Sequence, residues 1–189
     1  MKSLSILIPI YNEEESLQAL FDELKSSFDN NQSVEIIFIN DGSSDMSQKV
    51  IENEIVNYSR WKLINLYRNY GKSVALQSGI DIASNELIAT LDGDLQDDPK
   101  ELINLVRELN EDDVIVGWKK DRLDPLEKKI ASKIFNFFIK LFSGLKIKDS
   151  NSGIKVLKKE VAKSLNLYGG RHRYIPLLAH QKGFNVKEI

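Results

Sequence analysis

ELIATLDGDLQDDP, running from Glu86 to Pro99, is an apolar run that ends in a dense acidic loop. Leu87, Ile88, Ala89 and Leu91 read as a buried strand. Asp92, Asp94, Asp97 and Asp98 follow within seven residues, and so many carboxylates repel one another. A fold tolerates that density best where a cation neutralises it, and carboxylate and amide oxygens are the ligands that hard divalent ions prefer. In extended chain, side chains two apart share a face, so Asp92, Asp94 and Gln96 are expected to point at one centre. Gly93 between them is expected to let the backbone approach whatever the metal carries. Asp97 and Asp98 read instead as a solvated helix start, with Asp98 as N-cap and Pro99 at the first helical position.

Upstream, the same grammar repeats three times. Ser3 to Ile10 (SLSILIPI) is a continuous apolar run with β-branched residues, as in a strand covered on both faces. Beyond it, Leu17, Leu20, Phe21, Leu24 and Phe28 recur at helical spacing. Glu14 and Glu15 suit the positive end of that helix, whereas Tyr11 and Glu13 fall at the strand's carboxyl end, where open α/β sheets bind ligands. Val34 to Ile39 (VEIIFI) is a second buried strand running into Asn40-Asp41-Gly42-Ser43-Ser44-Asp45, then a helix over SQKVIENEIVNY. Ser44 or Asp45 is expected to cap it, while Asp41, at the strand tip beside Gly42, is placed to accept from a ring N–H of a pyrimidine. Trp61 to Leu66 (WKLINL) is a third strand, followed by YRNYGKS, which lacks the first glycine of a phosphate loop. It still brings Arg68 and Lys72 to the binding edge, and in the helix after it Gly79 is expected to allow close packing. The order β-α-β-α-β-α-β predicts a parallel sheet with right-handed crossovers. The absence of G-x-G-x-x-G after the first strand argues against a dinucleotide dehydrogenase.

The 189 residues, 42% hydrophobic and 29% charged, suit a single domain spanning 1–189. There is no cysteine, which excludes disulfides and thiolate metal sites, and His172 and His180 lack zinc-site spacing. No secretory leader or apolar run of about 18 residues is visible. The net charge of −2 conceals a separation: residues 1–98 carry 7 basic and 17 acidic side chains, residues 99–189 carry 19 and 11. An acidic half with a metal loop beside a basic half suits an anionic substrate bridged by a cation. Nucleic acid is the weaker reading, because the basic residues are not interleaved with a stacking series of aromatics.

The second half opens with an amphipathic helix (PKELINLVRELN) and a strand (DVIVGWKK). Around 126–143 the apolar set Ile130, Ile134, Phe135, Phe137, Phe138, Ile139, Leu141 and Phe142 alternates with Lys128, Lys129, Lys133 and Lys140. A basic amphipathic helix of this kind suits either an anionic membrane surface or ordinary packing with lysines outside. Gly169 to Tyr174 forms a glycine-rich turn whose Arg171 and Arg173 are suited to grip phosphate. His172 reads as a hydrogen-bonded structural residue. A helix (IPLLAHQKG) and a strand (FNVKEI) follow.

Taken in order, PIYNEEESL, INDGSSD, YRNYGKSVALQSGI, LDGDLQDDP, GWKKDR and SNSGIKVLKK resemble the family 2 glycosyltransferases. RHRYIPLLAHQKGF is similar in particular to the branch of dolichol-phosphate mannose synthase and the bacterial polyprenyl-phosphate sugar transferases. The resemblance implies an α/β GT-A fold, with a mostly parallel central sheet flanked by helices and a Rossmann-like nucleotide-binding half over 1–98. It implies a nucleoside diphosphate sugar donor (UDP- or GDP-linked), Mg²⁺ or Mn²⁺, and transfer with inversion. Carried over by position, Pro9, Tyr11, Glu13, Asp41, Gly42, Lys72 and Asp92 would bind the nucleotide sugar. Asp92, Asp94 and Gln96 would hold the metal. Arg122 and Ser132 would hold the acceptor phosphate, with Arg171 and Arg173 as looser assignments. Asn40 stands where the family often has Asp. Relatives continue past the last strand with a basic segment and transmembrane helices, whereas this sequence stops at Ile189, so the expectation is a catalytic domain without that membrane segment.

A polyprenyl phosphate acceptor is already anionic near pH 7 and needs no strong base, so the basic half 99–189 would position one anion against another. A saccharide hydroxyl acceptor would need a carboxylate base, for which Asp149 is the candidate. The resemblance thus implies a catalytic set of Asp94 and Arg122, with Asp149 for a hydroxyl acceptor, and the expected place of work is the cytoplasm, at the cytoplasmic face of a membrane. An inactive nucleotide-sugar binding protein is the rival from another class, predicting binding without turnover. Nucleotidyl transfer to a sugar phosphate would call for a glycine-rich, basic loop after the first strand, which PIYNEEES is not.

Overall fold

The computed structural model describes residues 2–28, 31–118, 145, 147 and 152–189. Four strand–helix units come first: β1 (Leu4–Ile10) and α1 (Leu17–Phe28), β2 (Val34–Asn40) and α2 (Ser47–Ile55), β3 (Trp61–Asn65) and α3 (Lys72–Ile82), β4 (Leu87–Thr90) and α4 (Glu101–Glu108). Then come β5 (Val114–Val116), β6 (Lys155–Lys158), α5 (Lys159–Ser164), a 3₁₀ turn (Arg171–Tyr174), α6 (Ile175–Gln181) and β7 (Val186–Glu188). The strands form one sheet in the order β3-β2-β1-β4-β6-β5-β7. β1, β2, β3 and β4 pair in parallel, as do β5 and β7, and β6 runs antiparallel to both of its neighbours.

The expected βα repeat is present, and the buried runs explain it. In β1, Ile6 and Ile8 face one layer with Phe21, Leu24 and Phe38, while Leu7 faces the other with Ile37, Ile39, Ala75 and Ile80. With both faces covered, alternation disappears and the strand reads as uniformly apolar. Phe21 meets Phe38 edge-on at 5.6 Å between ring centroids, which fixes α1 over the sheet. Gly79 does allow close packing, since a Cβ there would lie 3.0 Å from a Leu7 methyl.

β6 was not expected from the sequence. KVLK carries a lysine at each end, yet Lys155 is buried between Thr90 of β4 and Val116 of β5. α4 also begins two residues later than expected, although Asp98 does accept the Lys100 N–H at 2.9 Å. No helix among the described residues is long and apolar enough to cross a membrane.

At the opposite end of the sheet from the strands' carboxyl tips, Glu35 is buried in β2. Its carboxylate accepts from Ser5 Oγ at 2.6 Å, from Ser84 N and Oγ at 3.0 Å each, and from Lys62 Nζ. Burial pushes the Glu35 carboxyl up, but the bonds from Lys62, Ser5 and Ser84 outweigh it and leave the group below its ordinary value. The unfolded chain therefore takes up this proton first. The stabilisation is complete above the usual glutamate range and is lost as pH falls toward the folded value. We expect Glu35→Gln to cost about 1–3 kcal/mol in urea unfolding at pH 7, with the gap to wild type narrowing at pH 4.

Candidate active site

β1 pairs with β2 on one side and β4 on the other, so the crossovers after β1 and β4 leave in opposite directions and a crevice opens at their carboxyl ends. The loops after β1 and β2 are stitched together there. Asn12, held at φ +55°, donates its N–H to Ser43 Oγ at 3.0 Å and accepts the Ser44 N–H at 2.8 Å. Glu13 N–H donates to Ser47 Oγ at 2.9 Å. Asp45 takes the Ser47 N–H at 3.0 Å, but the N-cap of α2 is Met46, where Ser44 or Asp45 was expected. Glu14 corrects an expectation: its carboxylate accepts the Met46 N–H at 2.7 Å, so it serves the start of α2 and not of α1, whose first turn has no acidic residue.

Asp41 is buried, and each of its oxygens accepts a backbone amide from the loop after β3: Tyr70 N–H and Gly71 N–H, both at 2.8 Å. In this structure the carboxylate expected to meet a base organises the loop that carries Arg68 and Lys72. Gly42 is required beside it. Its φ is +69°, and a Cβ would come within 2.4 Å of the Arg68 carbonyl carbon. Tyr11, at the end of β1, is half-exposed on the rim, and Pro9 lies within β1 opposite Ile39 of β2.

The acidic loop does not continue as extended chain. Residues 93–95 turn, and Leu95 sits at φ +61°, a conformation that costs a non-glycine residue about 1–3 kcal/mol. Asp94, exposed, accepts the Gln96 N–H at 3.1 Å, so Asp94 and Gln96 are joined by a turn where one strand face was expected. Asp92 is half-buried and paired with Lys72 Nζ at 2.5 Å. The close approach at Gly93 is to Ile10, whose methyl would meet a Cβ at 2.5 Å. Asp97 is a further correction: it is buried rather than solvated, with Asp92 against Gly153, where a Cβ would fall 2.3 Å from Asp97 Oδ2 and 3.1 Å from Asp92 Oδ2. Thr90 Oγ1 donates to the Gly153 carbonyl at 2.7 Å and fixes that contact. Among the described residues no three carboxylate or imidazole groups gather as a complete metal cage. Two carboxylates on one turn still fit a hard divalent cation that takes its other oxygens from a diphosphate and water.

The arginine turn docks on the same crevice. Ser73, buried at the start of α3, accepts the His172 N–H at 3.0 Å and lies 2.9 Å from His172 Nδ1. This brings the Arg171–Tyr174 turn against the start of α3, with Arg171 stacked on Tyr168 at 4.6 Å. Burial, then the charges of Lys72, Arg173 and Lys155, lower His172 to about 4, against a smaller opposing pull from Asp92. The roles of Ser73 and the buried Lys155 escaped the sequence reading, and Gly153 stood out there only as a glycine without a role. The only local sign was a serine–glycine pair just before an apolar strand. Arg122, Ser132, Asp149 and the 126–143 segment lie outside the described residues.

Two outcomes are expected. Asp41→Ala should cost about 1–2 kcal/mol and speed amide exchange at Tyr70 and Gly71 selectively, read by hydrogen-exchange NMR. His172 should titrate near 4 by NMR, so it is neutral at pH 7. Because the unfolded chain binds that proton first, from about 6.5, His172 should subtract stability progressively between pH 6.5 and 4.

Residues 5–165 match the model of Glycosyl transferase family 2. Dodecaprenyl-phosphate galacturonate synthase of Rhizobium johnstonii is 37% identical over 185 residues, covering 92% of this chain and 53% of that protein. Undecaprenyl-phosphate 4-deoxy-4-formamido-L-arabinose transferase of Photorhabdus laumondii is 34% identical over 198 residues, covering 100% and 59%. The chain thus spans little more than half the length of these curated relatives. Among solved structures, a mannosyltransferase of Pyrobaculum calidifontis in complex with GDP-Man and Mn²⁺ superposes with a TM-score of 0.75 at 14% identity, covering 100% of this chain and 55% of that one. Glucosyl-3-phosphoglycerate synthase of Mycobacterium tuberculosis in complex with UDP gives 0.74 at 16%, covering 99% and 70%. The architecture is the GT-A fold of these neighbours, and the chain belongs to the family 2 glycosyl transferases.

Proposed function

We propose that this chain is the catalytic part of an inverting glycosyltransferase that moves a sugar from a nucleoside diphosphate sugar to a polyprenyl phosphate. The observation that carries the reading is the meeting of the Asp92–Asp94 turn with Lys72 at the crevice between β1 and β4. The two curated relatives named above, polyprenyl-phosphate sugar transferases by name, support the acceptor class.

In this reading the nucleoside lies across the ends of β1 and β2, against Pro9, Tyr11, Glu13, Asp41 and Gly42, and the diphosphate reaches Lys72 and the acidic turn. Asp92 and Asp94 would hold Mg²⁺ or Mn²⁺ with diphosphate oxygens, with Gln96 as a third donor. A cation held there would supply Lewis-acid stabilisation to the departing diphosphate. Lys72 adds a positive charge already in place where the leaving group develops its own negative charge. The acceptor oxygen forms its bond to the anomeric carbon from the face opposite the diphosphate, whose bond breaks with its electron pair. A phosphate acceptor is already ionised, so no side chain need remove a proton. Arg122, Ser132, Arg171 and Arg173 are assigned to that phosphate. His172, neutral near neutral pH, adds no charge of its own to the cations around it. The place of work is assigned to the cytoplasmic face of the membrane, where a lipid phosphate is presented.

Calorimetric titration with UDP and GDP, each with and without Mn²⁺, tests the donor site. One nucleotide should bind in a metal-dependent way, and Asp94→Ala should weaken that binding by at least about tenfold, the loss of one charged ligand. Binding of neither nucleotide under any condition would sink the proposal. Binding without transfer of labelled sugar into polyprenyl phosphate would favour a saccharide acceptor or an inactive binding protein.

A further inference from the structure

Asp92 is closed on two sides. Gly153 lies against one, so near that a Cβ there would come within 3.1 Å of Oδ2, and the Lys72 ammonium occupies the other at 2.5 Å from Oδ1. Both side chains are only about one-third exposed, at 32% for Lys72 and 29% for Asp92, so water screens the pair incompletely. Lys72 is fixed at its base as the first residue of α3, whose preceding amide at Gly71 is held by Asp41. The next residue, Ser73, is held to His172. The ammonium therefore stands at Asp92 because its helix start is clamped from both neighbours.

A divalent cation approaching this turn meets a positive charge at Asp92, while the neighbouring Asp94 offers an exposed carboxylate. One exposed carboxylate is a weak ligand for a hard cation. A diphosphate changes the balance, because it offers the ammonium a partner of higher charge and brings oxygens of its own. Resting on the donor-site reading above, we infer that Lys72, besides meeting the diphosphate, keeps Asp92 engaged until a nucleoside diphosphate arrives. Divalent metal binding thereby becomes conditional on the nucleotide. By linkage, the factor by which nucleotide tightens metal equals the factor by which metal tightens nucleotide.

The test is Mn²⁺ binding alone, followed by the paramagnetic resonance of free Mn²⁺, on wild type, Lys72→Met and Lys72→Arg, then repeated with saturating UDP or GDP. Lys72→Met should bind Mn²⁺ alone about tenfold more tightly than wild type, the effect of removing one unit charge beside the ligand. Lys72→Arg, which keeps the charge, should match wild type. The nucleotide-induced gain in Mn²⁺ affinity should shrink in Lys72→Met by about the same tenfold. Lys72→Gln is read in the same way should the methionine variant melt early. A metal-only affinity unchanged or weakened in Lys72→Met, with nucleotide binding intact in wild type, overturns this coupling alone. Absence of nucleotide binding in wild type overturns the donor-site reading and the coupling with it.

Discussion

The constraint on which the rest depends is topological. A parallel sheet that adds strands outward to β3 and then returns to the far side of β1 has to part its connections at the β1–β4 boundary. Four chain segments turn there within a short distance, each leaving backbone amides without strand partners. Those amides need acceptors, and short acidic and amide side chains are the compact way to provide them. The acidic character of this end of the molecule is thus partly a requirement of the fold before it is a property of any substrate site.

That requirement accounts for the interdependence of the loops. Asp41 satisfies amides of the loop after β3, Glu14 an amide of the loop after β2, and Asn12 another. Two non-glycine residues, Asn12 and Leu95, are held in the left-handed region at the ends of β1 and β4, and such strain persists only where the surroundings over-determine it. The crevice is in consequence rigidly assembled from residues far apart in sequence. Pre-organised charges of this kind need little rearrangement when an anion enters.

What the sequence made legible follows from the same physics. β1, β2 and β4 could be read because strands buried on both faces leave nearly uninterrupted apolar runs, and the helices because amphipathic spacing marks one face. Asp41, Asp92 and Asp94 were recognisable as candidates because polar residues at strand ends are informative. Their partners were not, because hydrogen bonds across 29 to 32 residues leave no periodic trace. Glu14 looked like a cap of its own helix, and only the adjacency of β1 and β2 sends it to another. Asp97 looked solvated because nothing local announces Gly153, more than fifty residues on. β6 was missed because a lysine normally signals solvent, and Lys155 is buried by two strands whose pairing no local pattern predicts.

The reversed strand β6 also bears on how the molecule comes into being. β4 pairs with β1 on one side, but its other edge is completed by residues 155–158. A chain emerging from the ribosome therefore carries four parallel strands with a bare, apolar edge until some sixty-five further residues have been made. Unpaired edges of this kind are where neighbouring chains join. The antiparallel clasp that holds Gly153 against the acidic turn is thus also the step that covers the β4 edge of the nascent sheet.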